Sequence, residues 1–438
     1  MLGPAFVFTL FAFVCWTALR RPASGLIGFY GFMLLDPEWN WRWSLPTGFT
    51  YQKYIFFCLF AGFLLSGLKF QRQSNQAKVG IASLIMFLVI CALSTAQSVS
   101  PSDSEFFLSV LWKHIATITL GILVIDSPAK VKALLLVAVL AQGYNSFQIN
   151  LDYFQTGFSR FAYTKWGSTG ADNNGYSIIT IPLLGTSLAL AFFELRPWRR
   201  AALFGIAVLQ MHQIMLMQSR GCMLAGIGMC ATLVIFMPKS TANIKAVLMA
   251  CALGGALAGP SVVQEFSSSF ETGEKRDSSA DSRFNLWTAG WRITADYPVL
   301  GVGPNAARRL VPQPQYYPGG LSVSNKALHN LFFDVSTGTG IPGFLAYFLF
   351  FTVPLFYCYK SYSPRDLQLG GPRLAVISGT LGYLAASVFS SGLLFESCYV
   401  LIIAGYAISN IDCTQSKEHP VTQRLHAIGP YEGQAVFN

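Results

Sequence analysis

Three side chains carry the chemistry this sequence offers: His329, Arg220 and Arg283. Of five histidines, His114 and His212 lie within apolar stretches, and His419 and His426 lie near the C-terminus. His329 alone borders a long polar segment. An imidazole suits proton transfer near neutral pH, so it is a candidate general base. The competing reading is a hydrogen-bonded histidine at a membrane interface. Arg220 interrupts an otherwise uncharged run from Ala201 to Met237. A charge that close to hydrocarbon is expensive and usually functional, although an arginine can also snorkel to lipid headgroups. Arg283 follows Asp281-Ser282 at the start of an expected helix, with Arg292 about two and a half turns on. Arg308-Arg309 form a doublet farther along. Converging arginines suit a diphosphate, because a planar guanidinium donates two hydrogen bonds to phosphate oxygens and stays charged. Asp172-Asn173-Asn174 either caps the helix opening at Tyr176 or contacts sugar hydroxyls. Lys113-His114 and Glu396 are polar groups in apolar surroundings, read as a relay or an internal ion pair.

These residues are set in a chain dissolved mostly in lipid. The 438 residues are 53% hydrophobic and 11% charged, against about 25% charged in soluble domains. Thirteen apolar stretches read as spans: Leu2–Leu19, Ala23–Leu35, Tyr54–Leu68, Val79–Ala96, Phe106–Ile125, Val131–Ile149, Tyr176–Phe193, Ala201–Gln218, Gly221–Met237, Ala246–Val263, Leu331–Tyr357, Leu374–Ser390 and Leu393–Ile411. The second is short, so twelve or thirteen helices cross. The first is too long for a signal h-region and is followed by Arg20-Arg21 rather than a small-residue cleavage site. The fold class is therefore an all-α polytopic membrane protein.

Lysines and arginines gather in alternate loops, among them Arg20, Lys69, Lys130, Arg196, Lys239 and Arg373. That asymmetry makes those loops and the tail cytoplasmic, and it accounts for the net charge of +10. The basic residues form no domain, which argues against nucleic acid as a partner. The expected organisation is a bundle over 1–263, an outer catalytic loop over 264–330, further membrane helices over 331–411 and a cytoplasmic tail over 412–438.

Within the loop, Asp281–Ala295 reads as a helix, with Phe284, Trp287 and Trp291 forming one apolar stripe. Tyr297-Pro298 ends it, and Gly301, Gly303 and Pro304 make a turn. Lys326–Asp334 reads as the start of the next membrane helix. Nine cysteines without a CxxC pair predict neither a disulfide framework nor a zinc site. The outer loops hold no Asp-x-Asp, and HExxH, P-loop and GxSxG motifs are missing. No metal or other cofactor is expected.

Several segments in order resemble the bacterial O-antigen ligase and polymerase superfamily. They are Gln218-Ser219-Arg220-Gly221, Arg283-Phe284-Asn285-Leu286-Trp287, Asp296 through Pro304, Ala327-Leu328-His329-Asn330, and Gly338–Gly343. Arg20-Arg21-Pro22, Asp36-Pro37-Glu38-Trp39 and Gly170–Asn174 resemble the branch of exosortase-associated O-glycosylation ligases. The resemblance implies a GT-C-like fold in the inner membrane and an active site facing the periplasm. It implies transfer of a glycan from undecaprenyl diphosphate to the lipid A–core; in other branches the acceptor is a growing polymer or a protein hydroxyl. Its functional positions fall on Arg220, Arg283 and His329. Arg292, Asn330, Asp172 and Asn174 are expected to touch substrate. O-antigen polymerase and protein O-oligosaccharyltransferase are the nearest alternatives, and a transporter, for which no internal repeat is found, is a distant one.

Overall fold

The computed structural model describes residues 2–46, 48–257 and 278–418. The expected span end at Val263, the loop start at Gln264 and the tail histidines lie outside them. Among the described residues every regular element is a helix, beside one isolated bridge, Trp166 to Ala171.

The helices are α1 (Leu2–Arg20), α2 (Pro22–Leu35), α3 (Pro37–Asn40), α4 (Tyr51–Leu65), α5 (Asn75–Ala96), α6 (Pro101–Val124), α7 (Pro128–Thr156), α8 (Asn173–Phe193), α9 (Pro197–Leu216), α10 (Arg220–Phe236), α11 (Thr241–Leu257), α12 (Ser278–Asp296), α13 (Leu331–Ser361), α14 (Gly370–Ala386) and α15 (Glu396–Glu418). A helix falls on each of the thirteen expected spans. Seven (α1, α5, α6, α7, α8, α13 and α15) are long and apolar enough to cross a membrane. Four shorter apolar helices are α2, α4, α10 and α11. This is a multi-pass, all-α membrane protein. The loops expected to be basic lie at one end of the bundle. The other end carries α12 and is called here the loop end.

α8 and α15 are buried at the centre and α1 lies at the rim. α8 packs on α14 and α9, α13 on α5, α2 on α7, and α1 on α4. Where lipid supplies no hydrophobic drive between helices, polar side chains add adhesion. Gln142 of α7 and Gln213 of α9 both donate to the Thr180 hydroxyl of α8, at 2.9 and 2.8 Å, and Ser146 donates to Gln213 at 2.6 Å. His212 is buried against Asn150 in the same region, which accounts for an imidazole inside an apolar span.

The loop end is organised by backbone contact between two segments far apart in sequence. α13 is broken at Gly340, whose φ is +67°. There the Ile341 N–H donates to Pro298 at 2.8 Å, and the Val302 N–H donates to Thr337 at 2.8 Å. The Tyr297–Pro304 turn thus lies directly on the 337–343 break. A Cβ on Gly340 would sit 2.4 Å from the Val299 carbonyl oxygen, and one on Gly301 2.4 Å from that of Thr337. Both glycines also have positive φ. Gly340→Ala therefore combines left-handed strain with a backbone clash. It is expected to cost on the order of 2–4 kcal/mol, read as a lowered unfolding temperature of the purified protein in detergent. An unchanged melt would remove this contact from the account.

α12 matches its expected range closely, but not its expected face. Phe284 and Trp291 are exposed, whereas Leu286, Ala289 and Ile293 are buried. Those three build a small core with Val302, Ala307, Val311, Tyr316 and Leu328. The aromatic stripe reading fails because the aliphatic residues, one helical step away, meet the folded-back 297–328 segment.

The expected helical start at Lys326 is also corrected. Residues 324–330 are irregular, and α13 begins at Leu331 with Asn330 as its cap. The spans expected to run to Ser390 and from Leu393 are likewise shortened. α14 stops at Ala386 and α15 starts at Glu396, leaving a connection over 387–395.

Candidate functional site

Three helices open at one place. Asp172 caps α8, its Oδ1 accepting from the Gly175 N–H at 2.7 Å. Arg220 is the first residue of α10. Asn330 caps α13, accepting from the Phe332 and Phe333 N–H groups at 2.9 and 3.2 Å. The Ser219 hydroxyl donates to Asn174 Oδ1 at 2.7 Å, and Asn173 donates to the Met217 carbonyl at 3.1 Å. These bonds tie the starts of α8 and α10 together. The α14–α15 connection closes the third side. Asn330 donates to the Val388 carbonyl at 3.0 Å, and the Leu331 N–H donates to that of Ser387 at 2.8 Å. Phe389 lies on Gly221 and faces Trp287 of α12 at 6.3 Å between ring centroids.

His329 and Arg283 belong to this cluster. The His329 imidazole interacts electrostatically with Asp172, Lys326 and Arg283. Cys222, in the first turn of α10, interacts with Arg283 and Asp172. Both guanidinium groups, of Arg220 and Arg283, have partners in the structure.

The local backbone shows how the sequence fixes the imidazole. Leu328 is buried in the loop core and Asn330 is committed to its cap, so His329 is pinned from both sides. It has φ +51°, and Gln218, just before Ser219-Arg220, has φ +55°. Left-handed conformation in a non-glycine residue costs about 1–2 kcal/mol. It persists where surrounding structure over-determines it; these two flank the cluster, and Asp36, Leu68 and Asn305 share the conformation elsewhere.

Electrostatically the site favours an anion. Helix N-termini present unpaired N–H groups and partial positive charge. Arg220 adds a full positive charge to the start of α10, where a cation is unfavourable without a counter-anion. Asp172, Lys326 and Arg283 all act on the His329 imidazole, and Asp172 also serves as the α8 cap. Burial first, with Lys326 and Arg283 adding to it, pushes the His329 pKa below its ordinary value; Asp172 opposes that shift. That direction favours the neutral form, which is the form able to accept a proton.

The other expected site residues are placed less directly. Arg292 is nine residues beyond Arg283, which puts it on the opposite face of α12 at about 100° per residue. Its guanidinium donates to the Gln315 and Tyr316 carbonyls, both at 3.3 Å. Asn330 and Asp172 act as caps, and Asn174 receives the Ser219 hydroxyl. Arg308 and Arg309 both bind Asp103, at 2.6 and 2.8 Å, fastening the loop to α6. Lys113-His114 and Glu396 lie elsewhere in the fold. Sequence reasoning missed Phe389, Trp287's partner, because the 387–395 connection reads as continuous apolar sequence apart from Ser390-Ser391-Gly392.

Residues 205–348 match the family model described as O-antigen ligase. This third of the chain is thus similar to the O-antigen ligase superfamily. That region holds the start of α10, α12, the 297–330 segment and the first half of α13, and so Arg220, Arg283 and His329 together. Residues 2–173 match a second model, described as a family of unknown function (DUF5935). That segment ends just past the α8 cap, and its Asp36 also serves the site's surroundings. Asp36 Oδ2 accepts from the Ser168 N–H at 2.7 Å, while Trp39 packs on Trp166 at 5.5 Å. The loop preceding Asp172 is thereby fixed to α2 and α3. No curated protein matches the chain.

Proposed function

We propose that this protein transfers a glycan from a polyprenyl-diphosphate carrier, undecaprenyl diphosphate, to a lipid A–core acceptor at the periplasmic face of the inner membrane. The observation that carries the reading is the convergence of three helix N-termini, two arginines and an imidazole at the loop end. Arg220 and Arg283, with the uncapped start of α10, bind the diphosphate and stabilise charge as the glycosidic bond breaks. His329 accepts the proton from the acceptor hydroxyl as its oxygen attacks the anomeric carbon. The diphosphate departs with the bonding electron pair, so one displacement inverts the anomeric centre. Holding both lipids beside the bundle reduces the entropic barrier. The arginines take the place of a divalent metal. Transfer is therefore expected to proceed fully in EDTA. Inactivation by EDTA with restoration by Mg²⁺ or Mn²⁺ would refute that assignment.

The deciding experiment is a deletion strain, with the lipopolysaccharide and the carrier-linked pool examined together. Long glycan accumulating on the carrier, with bare lipid A–core, supports ligation. Single repeat units in both pools would instead make the protein a polymerase. Intact lipopolysaccharide with glycan missing from periplasmic proteins would make the acceptor a protein hydroxyl.

A further inference from the structure

A largely apolar pocket with a few polar groups lies away from the cluster around His329, beside α4 and α6. The cavity is about 550 Å³, and its lining includes Thr50, Gln52, Lys53, Lys113, His114 and Glu396. Its remaining walls are apolar, with Phe29 and Met33 from α2 and Phe56 and Phe57 from α4. Phe57 and Trp112 at its rim are 57% and 45% exposed, on a surface that faces lipid.

The position of Lys113 is costly. It is twelve residues into α6, roughly 18 Å along the helix from Pro101, near the middle of a span. A lysine at that depth needs a counter-charge or water. Among the described residues neither Lys113 nor Lys53 has a carboxylate within ion-pair distance; the one acid of the pocket, Glu396, lies 3.9 Å from His114. Nor does snorkelling explain Lys113, because its side chain spans only part of a half-bilayer of about 15 Å. α4 is short, about 22 Å for its 15 residues, less than the hydrocarbon thickness of about 30 Å. Its first turn, carrying Gln52 and Lys53, shares one pocket with Lys113 of α6, a notch between the two helices. The first N–H of α4, that of Tyr51, meets the Glu38 carboxylate, so the positive charge of the notch comes from the two lysines.

We infer that this notch admits, from the side, the headgroup of a membrane lipid bearing a phosphate ester. The phosphate oxygens meet Lys53 and Lys113, with Gln52 and Thr50 donating hydrogen bonds, and the chain lies along the Phe56–Phe57 wall. Glu396 and His114 at the back accept hydrogen bonds from a hydroxyl or ammonium on the esterified group. Two sources share this chemistry: a resident phospholipid and a polyprenyl-linked sugar phosphate.

The test uses the full-length protein, purified in mild detergent, with retained lipid phosphate measured by native mass spectrometry. Phosphatidylglycerol and a synthetic polyprenyl phosphate sugar are then titrated separately. Wild type is expected to retain about one phosphorylated lipid. Lys53→Met/Lys113→Met, which keeps the stems and favours insertion, is expected to reduce retention at least tenfold. Lys360→Met, at the opposite end, is expected to leave it unchanged. Displacement by only one of the two lipids identifies the source. His329→Ala is expected to retain the lipid normally, so loss of transfer and loss of this site are separable. Wild type without bound lipid phosphate, or equal retention in the double variant and wild type, would overturn the inference.

Discussion

His329→Ala is expected to lower glycan transfer by about 10²–10⁴-fold, the usual worth of a positioned general base, while the protein still inserts and folds. The measurement is transfer in proteoliposomes loaded with a diphosphate-linked donor and an acceptor lipid. Folding should survive because His329 holds no cap or core position; those belong to Asn330 and Leu328. Alanine is not β-branched, so the left-handed backbone at this position adds only modest strain. The pH profile supplies a second readout. Burial holds the imidazole pKa below its ordinary value, and the base must be neutral to act. Activity should therefore fall on acidification, with its midpoint under about 6.5, and stay level through neutral pH. A midpoint above 7, or a variant with wild-type rate, would remove His329 from the reaction.

Arg220→Ala and Arg283→Ala come next in size. Each deletes a fixed positive charge beside a leaving diphosphate, and loss of one such group costs on the order of 10²–10³ in rate. The diphosphate is charged before as well as during bond breaking, so part of the loss should appear as weaker donor binding. Lysine at either position restores charge but not the two-pronged geometry, and should recover only a fraction. Because both groups act on one anion, the double variant should fall short of the product of the single losses. Two independent, multiplying effects would mean that the arginines serve different ligands.

Arg292 shows where spacing misleads. It shares a helix with Arg283, but nine residues turn it to the far side, where carbonyl groups occupy it. The Arg308–Arg309 doublet likewise looks like a phosphate site until Asp103, some two hundred residues earlier, is found between the two guanidiniums. In both cases the partner comes from a segment that local sequence cannot reveal. The exposed Trp291 teaches a similar lesson, since an amphipathic pattern tells that a helix has a buried face but not which neighbour will cover it.

The sequence alone determined the lipid-dissolved class, the positions of the membrane helices and the singling out of Arg220, Arg283 and His329. Those follow from transfer free energy and from the cost of charge near hydrocarbon, which act residue by residue. Tertiary structure decided which candidates meet. The bond from Ser219 to Asn174, the cap at Asn330, the seating of Gly340 on Val299 and the intrusion of Phe389 join segments from four parts of the chain. Such contacts depend on helix packing and on backbone geometry summed over many residues, so no local pattern encodes them.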